Sequence, residues 1–309
     1  MHAMEMDGLT ENPHTLRATG RLCLPRKDYK PSKDLASQTK EMEHLEVCIE
    51  ILAVGSELCF GRVYDTNSFW IADQMTQLGA IVQRITCVRD RVQDICSVIK
   101  EALSRRPHFI ILTGGLGPTP DDLTIDSLSR LLGIELVAQK GILEAIARRR
   151  KVGVHDLTSN QVRMARSLKG ADCLPNPVGS APLTIIDVRE TTIVTLPGPP
   201  REMKACFASY IPERVRKKTH CQSAAQRVIV KRYESEISQN IETIMNSIPG
   251  VYLKPLVAQY QRERGLPIDI VAFAENKEGC TRKILEAIAQ LKKSGDIERV
   301  EIDEPASSK

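Results

Sequence analysis

The chain has 309 residues, which at about 100 to 200 residues per domain suggests two domains, each large enough to bury its own core. Its 42% hydrophobic and 27% charged residues are those of an ordinary globular protein and argue against whole-chain disorder or a fibrous repeat. Aromatics make up only 4%, and 43 basic against 39 acidic residues leave a net charge of +4, too little for a base-stacking platform or a nucleic-acid footprint.

The longest apolar runs, such as 109–112, fall far short of the roughly 20 residues needed to cross a bilayer, and no leader pattern opens the sequence. A cytoplasmic protein with no membrane partner is expected. Nine cysteines occur with no CxxC pair and no histidine at ligand spacing, which disfavours structural zinc and reads as reduced, incidental thiols.

Residues 1–45 carry Pro13, Pro25 and Pro31, many polar residues and no sustained apolar period, so they read as a loose N-terminal extension. Met42, just before the first strong strand, is a candidate for the true translation start. From residue 46 the pattern alternates between β-rich apolar runs and helical periods. Strands are expected at 47–54, 81–88 and 109–112, and helices at 67–78, 92–103, 124–132, 141–151 and 157–167. A hairpin of 184–188 and 191–196 turns at Arg189 and Glu190, and a helix at about 201–215 closes this part. The basic run Arg214, Arg216, Lys217 and Lys218 reads most simply as a solvated linker, with substrate phosphate of a neighbouring subunit as the functional alternative.

This alternation predicts an α/β fold with a doubly wound, mostly parallel sheet over 46–220. Beyond residue 221 the order becomes strand 227–231, helix 234–247, strands 251–257 and 267–274, helix 277–292 and strand 297–302. That is the β-α-β-β-α-β pattern of a smaller, ferredoxin-like α+β domain over 221–309.

The most informative segment is TGGLGPTPDDLT at 113–124, directly after the buried strand and before a helix. Glycines there let the backbone approach a ligand, and successive N–H groups with a helix N-terminus form an anion cradle. For Asp121 and Asp122 two readings stand: helix capping, or holding a hard divalent cation beside the phosphates. A second loop, Gly55-Ser56-Glu57-Leu58-Cys59-Phe60-Gly61, runs on to Asp65-Thr66-Asn67. Asp65 or Thr66 can cap the next helix, whereas Glu57 has no such local role and is a candidate for cation or ribose binding. Two proline-rich loops, PNPVGSAP at 175–182 and LPGPPREM at 196–203, are ordinarily punctuation, yet they could hold backbone donors and Asn176 rigidly around a ligand.

Together the four segments closely resemble the molybdopterin-binding, MoaB/Mog-type domain as it occurs in the CinA family. The resemblance covers about residues 46–207 and continues more weakly to about 303. It implies that Asp122 and Asp90 are catalytic, with metal and nucleotide phosphate between them. Thr113, Gly114, Gly115, Gly117, Thr119, Asn176, Gly179, Ser180, Pro197 and Gly198 would bind substrate or phosphate, and Glu57, Asp121 and Asp122 the metal. Leu183 stands where the family usually has glycine, which weakens the expected backbone approach of that loop. Cys59 and Phe60 replace residues that are commonly aliphatic. Full-length CinA proteins continue into an amidase domain, and because this chain ends at Lys309 no amidase activity is expected.

The implied activity is that of a metal-dependent nucleotide pyrophosphatase acting on an ADP-ribose-like substrate with Mg²⁺, Mn²⁺ or Co²⁺. The alternatives are a non-catalytic molybdopterin or nucleotide binding protein, and a molybdopterin adenylyltransferase. The resemblance also implies a homo-oligomer, dimer or trimer. His108, His155 and His220 are isolated in sequence and read as surface or interdomain residues. The basic stretch 148–151 reads as helix-surface charge, with contact to substrate phosphate as the alternative.

Overall fold

The computed structural model describes residues 47–294 and 297–301; the expected N-terminal extension and Met42 lie outside them. The first part is a six-stranded sheet in the order β2-β1-β3-β8-β7-β6. Strands β1 (Val47–Val54), β2 (Ala80–Val88), β3 (Phe109–Thr113) and β8 (Thr191–Leu196) run parallel. The expected hairpin adds β7 (Leu183–Val188), and β6 (Asp172–Leu174) closes that edge, both antiparallel.

Alternate side chains of β1 feed two cores. Val47, Ile49 and Ile51 pack with Ile71 and Met75 of helix α2 (Thr66–Gln77) and with Met203 and Phe207 of α7 (Pro200–Tyr210). Leu52 and Val54 pack on the other face with Ile95 and Ile99 of α3 (Val92–Ser104) and Leu128 of α4 (Thr124–Leu132). Burial of both faces explains why these strands read as continuous apolar runs. Because α2 and α3 cover opposite faces, the winding reverses at β1. The carboxyl ends of the central strands thus form the crevice where such sheets bind ligands.

Glu50 of β1 is fully buried, and Arg105 donates to both its carboxylate oxygens at 2.6 Å. The charge is tolerated because the guanidinium answers it in a bidentate pair.

Several expected elements differ. The helix expected at 157–167 is shorter, α6 (Ser159–Met164), preceded by a tight turn at Val154–Asp156 and followed by a strand, β5 (Arg166–Leu168). Thr158 and Gln161 form a reciprocal capping box that fixes the helix start. The chain then pairs with β4 (Leu136–Ala138). These three-residue strands carry too little pattern to announce themselves. The long helix expected at 201–215 divides into α7 and α8 (Pro212–Arg216), since Pro212 has no N–H to continue the first. The basic run is also not a bare linker. Part of it lies in α8, Arg214 bonds Asp172 at 2.8 Å, Lys217 meets Glu213 at 2.9 Å and Lys218 reaches Thr192 at 3.1 Å.

The second part is a four-stranded antiparallel sheet in the order β10-β11-β9-β12, the ferredoxin-like arrangement. It contains β9 (Gln222–Val230), α9 (Glu234–Ser247), β10 (Val251–Pro255), β11 (Leu266–Ala274), α10 (Lys277–Ser294) and β12 (Ile297–Glu301). Strand β9 begins earlier than its apolar residues suggest because it pairs with β11 along its whole length, Gln222 opposite Ala274. Strand β10 stops at Pro255, where the backbone donor is lost, and a turn follows. Its core of Val228, Ile241, Ile268, Ile270, Ile284 and neighbours is separate from those of the first sheet. The junction is tight. A Cβ on Gly79 would lie 2.0 Å from the Cys221 carbonyl oxygen, and the Ser223 hydroxyl donates to the Thr76 carbonyl. Among the described residues no helix is long and apolar enough to cross a membrane.

Candidate functional site

Over the carboxyl ends of β3 and β8 lies a cleft of about 620 Å³. One lip is the glycine block after β3, and the other is formed by Val178, Gly179, Ser180 and Ala181 with Gly198 and Pro199 after β8. Arg149, Arg150 and Met164 line it from the helical insert, in which α5 spans Lys140–Arg150, and Glu202 lines it from the first turn of α7.

The glycine block owes its path to a few close contacts. Gly114 has φ +101°, and a Cβ there would fall 2.1 Å from the Val54 carbonyl oxygen; its N–H donates to Leu196 O at 3.0 Å. That bond draws the block toward β8. Thr124, opening α4, donates its N–H to Gly115 O at 3.1 Å and its hydroxyl to Gly114 O at 2.8 Å. The N–H groups of Gly115, Leu116 and Gly117 meet no protein acceptor among the described residues, the condition an anion nest requires.

Neither Asp121 nor Asp122 caps α4, whose N-cap is Leu123 with no side-chain bond. Asp122 instead accepts from the Thr119 N–H at 2.8 Å and from its hydroxyl at 2.6 Å, which holds the carboxylate beside Gly117. Asp121 is exposed and outside the cleft lining. Arg163, in α6, donates to Thr119 O and Asp122 O at 2.7 Å each and to Asp126 at 3.2 Å. Arg149 does the same for the opposite lip, reaching the carbonyls of Val178, Pro177 and Asn176 at 2.9 to 3.3 Å.

The cleft lining includes Gly115, Gly117, Thr119, Asp122, Gly179, Ser180 and Gly198. The other expected ligand contacts hold the lips from behind. Thr113 is buried and donates to Pro197 O at 3.1 Å; Asn67 bridges Thr113 Oγ1 and Gly198 O at 3.1 and 2.7 Å. Asn176 uses its whole amide internally, accepting from Val178 and Gly179 and donating to Ala181 O and Glu202. It therefore shapes the loop and has no free group for a ligand. Leu183, in the place of the family's glycine, is fully buried in the core as the first residue of β7.

The remaining carboxylates lie outside the lining. Asp90 accepts the Ser56 N–H at 2.6 Å and returns its own N–H to Ser56 Oγ at 3.2 Å, securing the short helix α1 (Ser56–Cys59). Glu57 is exposed in the first turn of α1 and folds over Gly55. Asp65 caps α2 through the Ser68 N–H at 2.9 Å, the local role expected for it. Glu57, Asp121 and Asp122 are not gathered as a ligand set: among the described residues no three His, Cys, Asp or Glu side chains group to hold a metal ion. The glycine block turns toward β8 while Glu57 and Asp90 stay with β1 and β2.

Sequence reading missed Glu202 as a site residue, and it left Arg149 and Arg150 with two readings. Glu202 was visible within LPGPPREM. Arg163 carried no motif at all. His108, His155 and His220 are exposed and do not line the cleft. The described cysteines are free thiols; burial, with Glu202 adding, pushes the Cys206 thiol up to about 12, so it is no nucleophile.

Comparison with known proteins is consistent with this geometry. Residues 50–217 match the family described as a probable molybdopterin binding domain. A protein of Pyrobaculum calidifontis is 34% identical over 256 residues, covering 79% of this chain and 95% of its own. A protein of Pyrococcus furiosus is 42% identical over 196 residues, covering 61% and 75%. Among solved structures, CinA of Thermoplasma acidophilum, described as of unknown function, is 29% identical with a TM-score of 0.52, over 55% of this chain and 98% of that one.

Proposed function

Since the chain belongs to the family of MoaB/Mog-type molybdopterin-binding domains, in its CinA-like form, we propose that it hydrolyses the phosphoric anhydride of an ADP-ribose-like nucleotide. The observation that carries this reading is the convergence of unpaired N–H groups at 115–117, the Asp122 carboxylate and the Arg150 guanidinium on one cleft. Arg150 has no carboxylate partner among the described residues. A backbone nest and a free guanidinium are complementary to two linked phosphates.

A divalent cation, Mg²⁺, Mn²⁺ or Co²⁺, would be held by Asp122 together with oxygens of the ligand's own phosphates. That donor set suits Mg²⁺, which usually takes one or two carboxylates and completes its shell with phosphate and water. When bound it would supply neutralisation of the phosphate charge. The chain's own residues cradle the phosphates, fix Asp122 through Thr119, and keep both lips in place through Arg149 and Arg163.

The test is cleavage of ADP-ribose, FAD, NAD and ATP by purified protein with and without each cation, with Asp122→Ala as control. Metal-dependent cleavage of ADP-ribose that disappears in the variant is the expected result. Equal rates in the variant under saturating metal would overturn it.

A second reading is that the cleft binds molybdopterin or a nucleotide without turning it over. The unpaired N–H groups at 115–117 and the Arg150 guanidinium would serve binding alone as well as turnover. Saturable binding with no product over hours would decide for it. The proposed homo-oligomer is supported by the exposed Phe60, Val63, Tyr64 and Phe69, because large exposed apolar side chains are a common mark of interaction surfaces. Light scattering of the purified protein tests it, and a monomer at micromolar concentration would count against it.

A further inference from the structure

Glu202 is a carboxylate without a role in the reading above, and three observations set it apart. It lines the same cleft as Asp122, the free N–H groups and Arg150. No Lys, Arg or His is paired with it among the described residues. Its Oε2 accepts from Asn176 Nδ2 at 2.7 Å, which leaves Oε1 without a protein partner. The loop opposite is built around it: a Cβ on Gly179 would lie 1.8 Å from Oε2, so the glycine makes room for the carboxylate. An unneutralised, oriented carboxylate in a cleft is an acceptor waiting for a proton.

Resting on the proposed pyrophosphatase reading, we infer that Glu202 is the general base that activates the attacking water. A water molecule gives one proton to Oε1 of Glu202 as its oxygen bonds to a phosphorus of the anhydride. The bridging P–O bond breaks, and its electron pair leaves on the oxygen of the departing phosphate. The products are two phosphate monoesters, and Glu202 afterwards releases the proton to solvent. The developing charge on phosphorus-bound oxygen faces the N–H groups of 115–117. Asn176 fixes the carboxylate's orientation, the part the third member plays in a nucleophile–base–orienter set.

Glu202→Gln separates catalysis from loop support, because glutamine keeps an oxygen that can accept from Asn176 and nearly the same volume while losing the proton site. With ADP-ribose and metal, kcat should fall about 100-fold or more, while Kd and melting temperature stay close to wild type. The low-pH limb of kcat should be lost with it. The charged groups sharing the cleft are Asp122, Arg149 and Arg150, and all three are retained in this variant; the guanidiniums stay charged throughout, so among them only the Asp122 carboxylate could account for a low-pH limb that survives.

Glu202→Asp keeps the proton site on a shorter arm and should retain the limb at reduced kcat. A Glu202→Gln enzyme within about threefold of wild type and with an unchanged pH profile would overturn the inference and leave the pyrophosphatase reading intact. So would an equal loss of binding and turnover, which marks a ground-state contact. A wild-type protein that cleaves no anhydride removes the reading itself, and the base with it.

Discussion

Replacing Gly114 with alanine tests whether the cleft is built on a backbone contact. The added Cβ would stand 2.1 Å from the Val54 carbonyl oxygen at a φ of +101°. Relief requires the ends of β1 and β3 to part by about 1 Å, given that a Cβ rarely comes within about 3 Å of backbone atoms, or the loop to give up its bond to Leu196 O. Left-handed strain in a non-glycine residue costs about 1–3 kcal/mol, and an unmet buried backbone group about 1–3 kcal/mol more. At about 2–4 °C per kcal/mol for a chain of this size, the melting temperature should fall roughly 5–20 °C. Gly117→Ala makes the contrast. Its Cβ would be 2.6 Å from the Asp122 side chain and not from backbone, so the carboxylate can swing aside and pass its two solvent-exposed bonds from Thr119 to water, at about 1 kcal/mol, the net order of an ordinary hydrogen bond. This variant should melt near wild type yet lose activity or ligand affinity. Calorimetry of both, beside cleavage and binding assays, decides. A Gly114→Ala protein melting within about 2 °C of wild type, or equal destabilisation by the two changes, would refute the reasoning.

Arg105→Ala leaves the fully buried Glu50 unanswered. Because the Arg105 side chain is 31% exposed, the loss should lie near the lower end of the usual range, about 3 kcal/mol, in denaturant unfolding; less than 1 kcal/mol would mean that water already solvates the carboxylate. Arg163→Ala frees the carbonyls of Thr119 and Asp122, so exchange of the Thr119 and Asp122 amides, which bond within this turn, should accelerate without global unfolding, and unchanged exchange there would dismiss the clamp. Partial desolvation of the ring first, then the Lys218 charge, pushes the His108 imidazole below its ordinary range although the residue as a whole is exposed, opposed by Glu190; its Nδ1 also accepts the Cys48 N–H at 3.1 Å. A depressed folded value means that the unfolded chain takes up the proton first. The contribution is therefore full above about pH 6.5 and is lost as pH falls below it. His108→Gln should flatten the stability slope between about pH 7 and 5, and identical slopes in the two proteins would exclude this origin.

Length, periodicity and turn chemistry determined the alternation of strands and helices, the split β-α-β-β-α-β tail and the four loops around the cleft, because each of these is written in contiguous residues. The all-apolar 109–112 stretch announced a buried parallel strand, and the glycines after it an N–H cradle. Local pattern failed where elements are short or where pairing overrides propensity: β4, β5 and β6 span three residues each, and the polar start of β9 is a strand only because β11 lies beside it. At the site, the motif residues were legible but their division of labour was not. Thr113, Asn176 and Pro197 proved to brace the lips, while Gly115, Gly117, Asp122 and Ser180 face the cleft. The bracing roles of Arg149 and Arg163 were decided by tertiary structure alone, since a guanidinium that binds carbonyls some 27 to 44 residues away leaves no periodic trace in the chain. Sequence spacing records which groups neighbour one another along the backbone; the separation of Glu57 and Asp90 from Asp122 follows from where β1, β3 and β8 sit in the sheet.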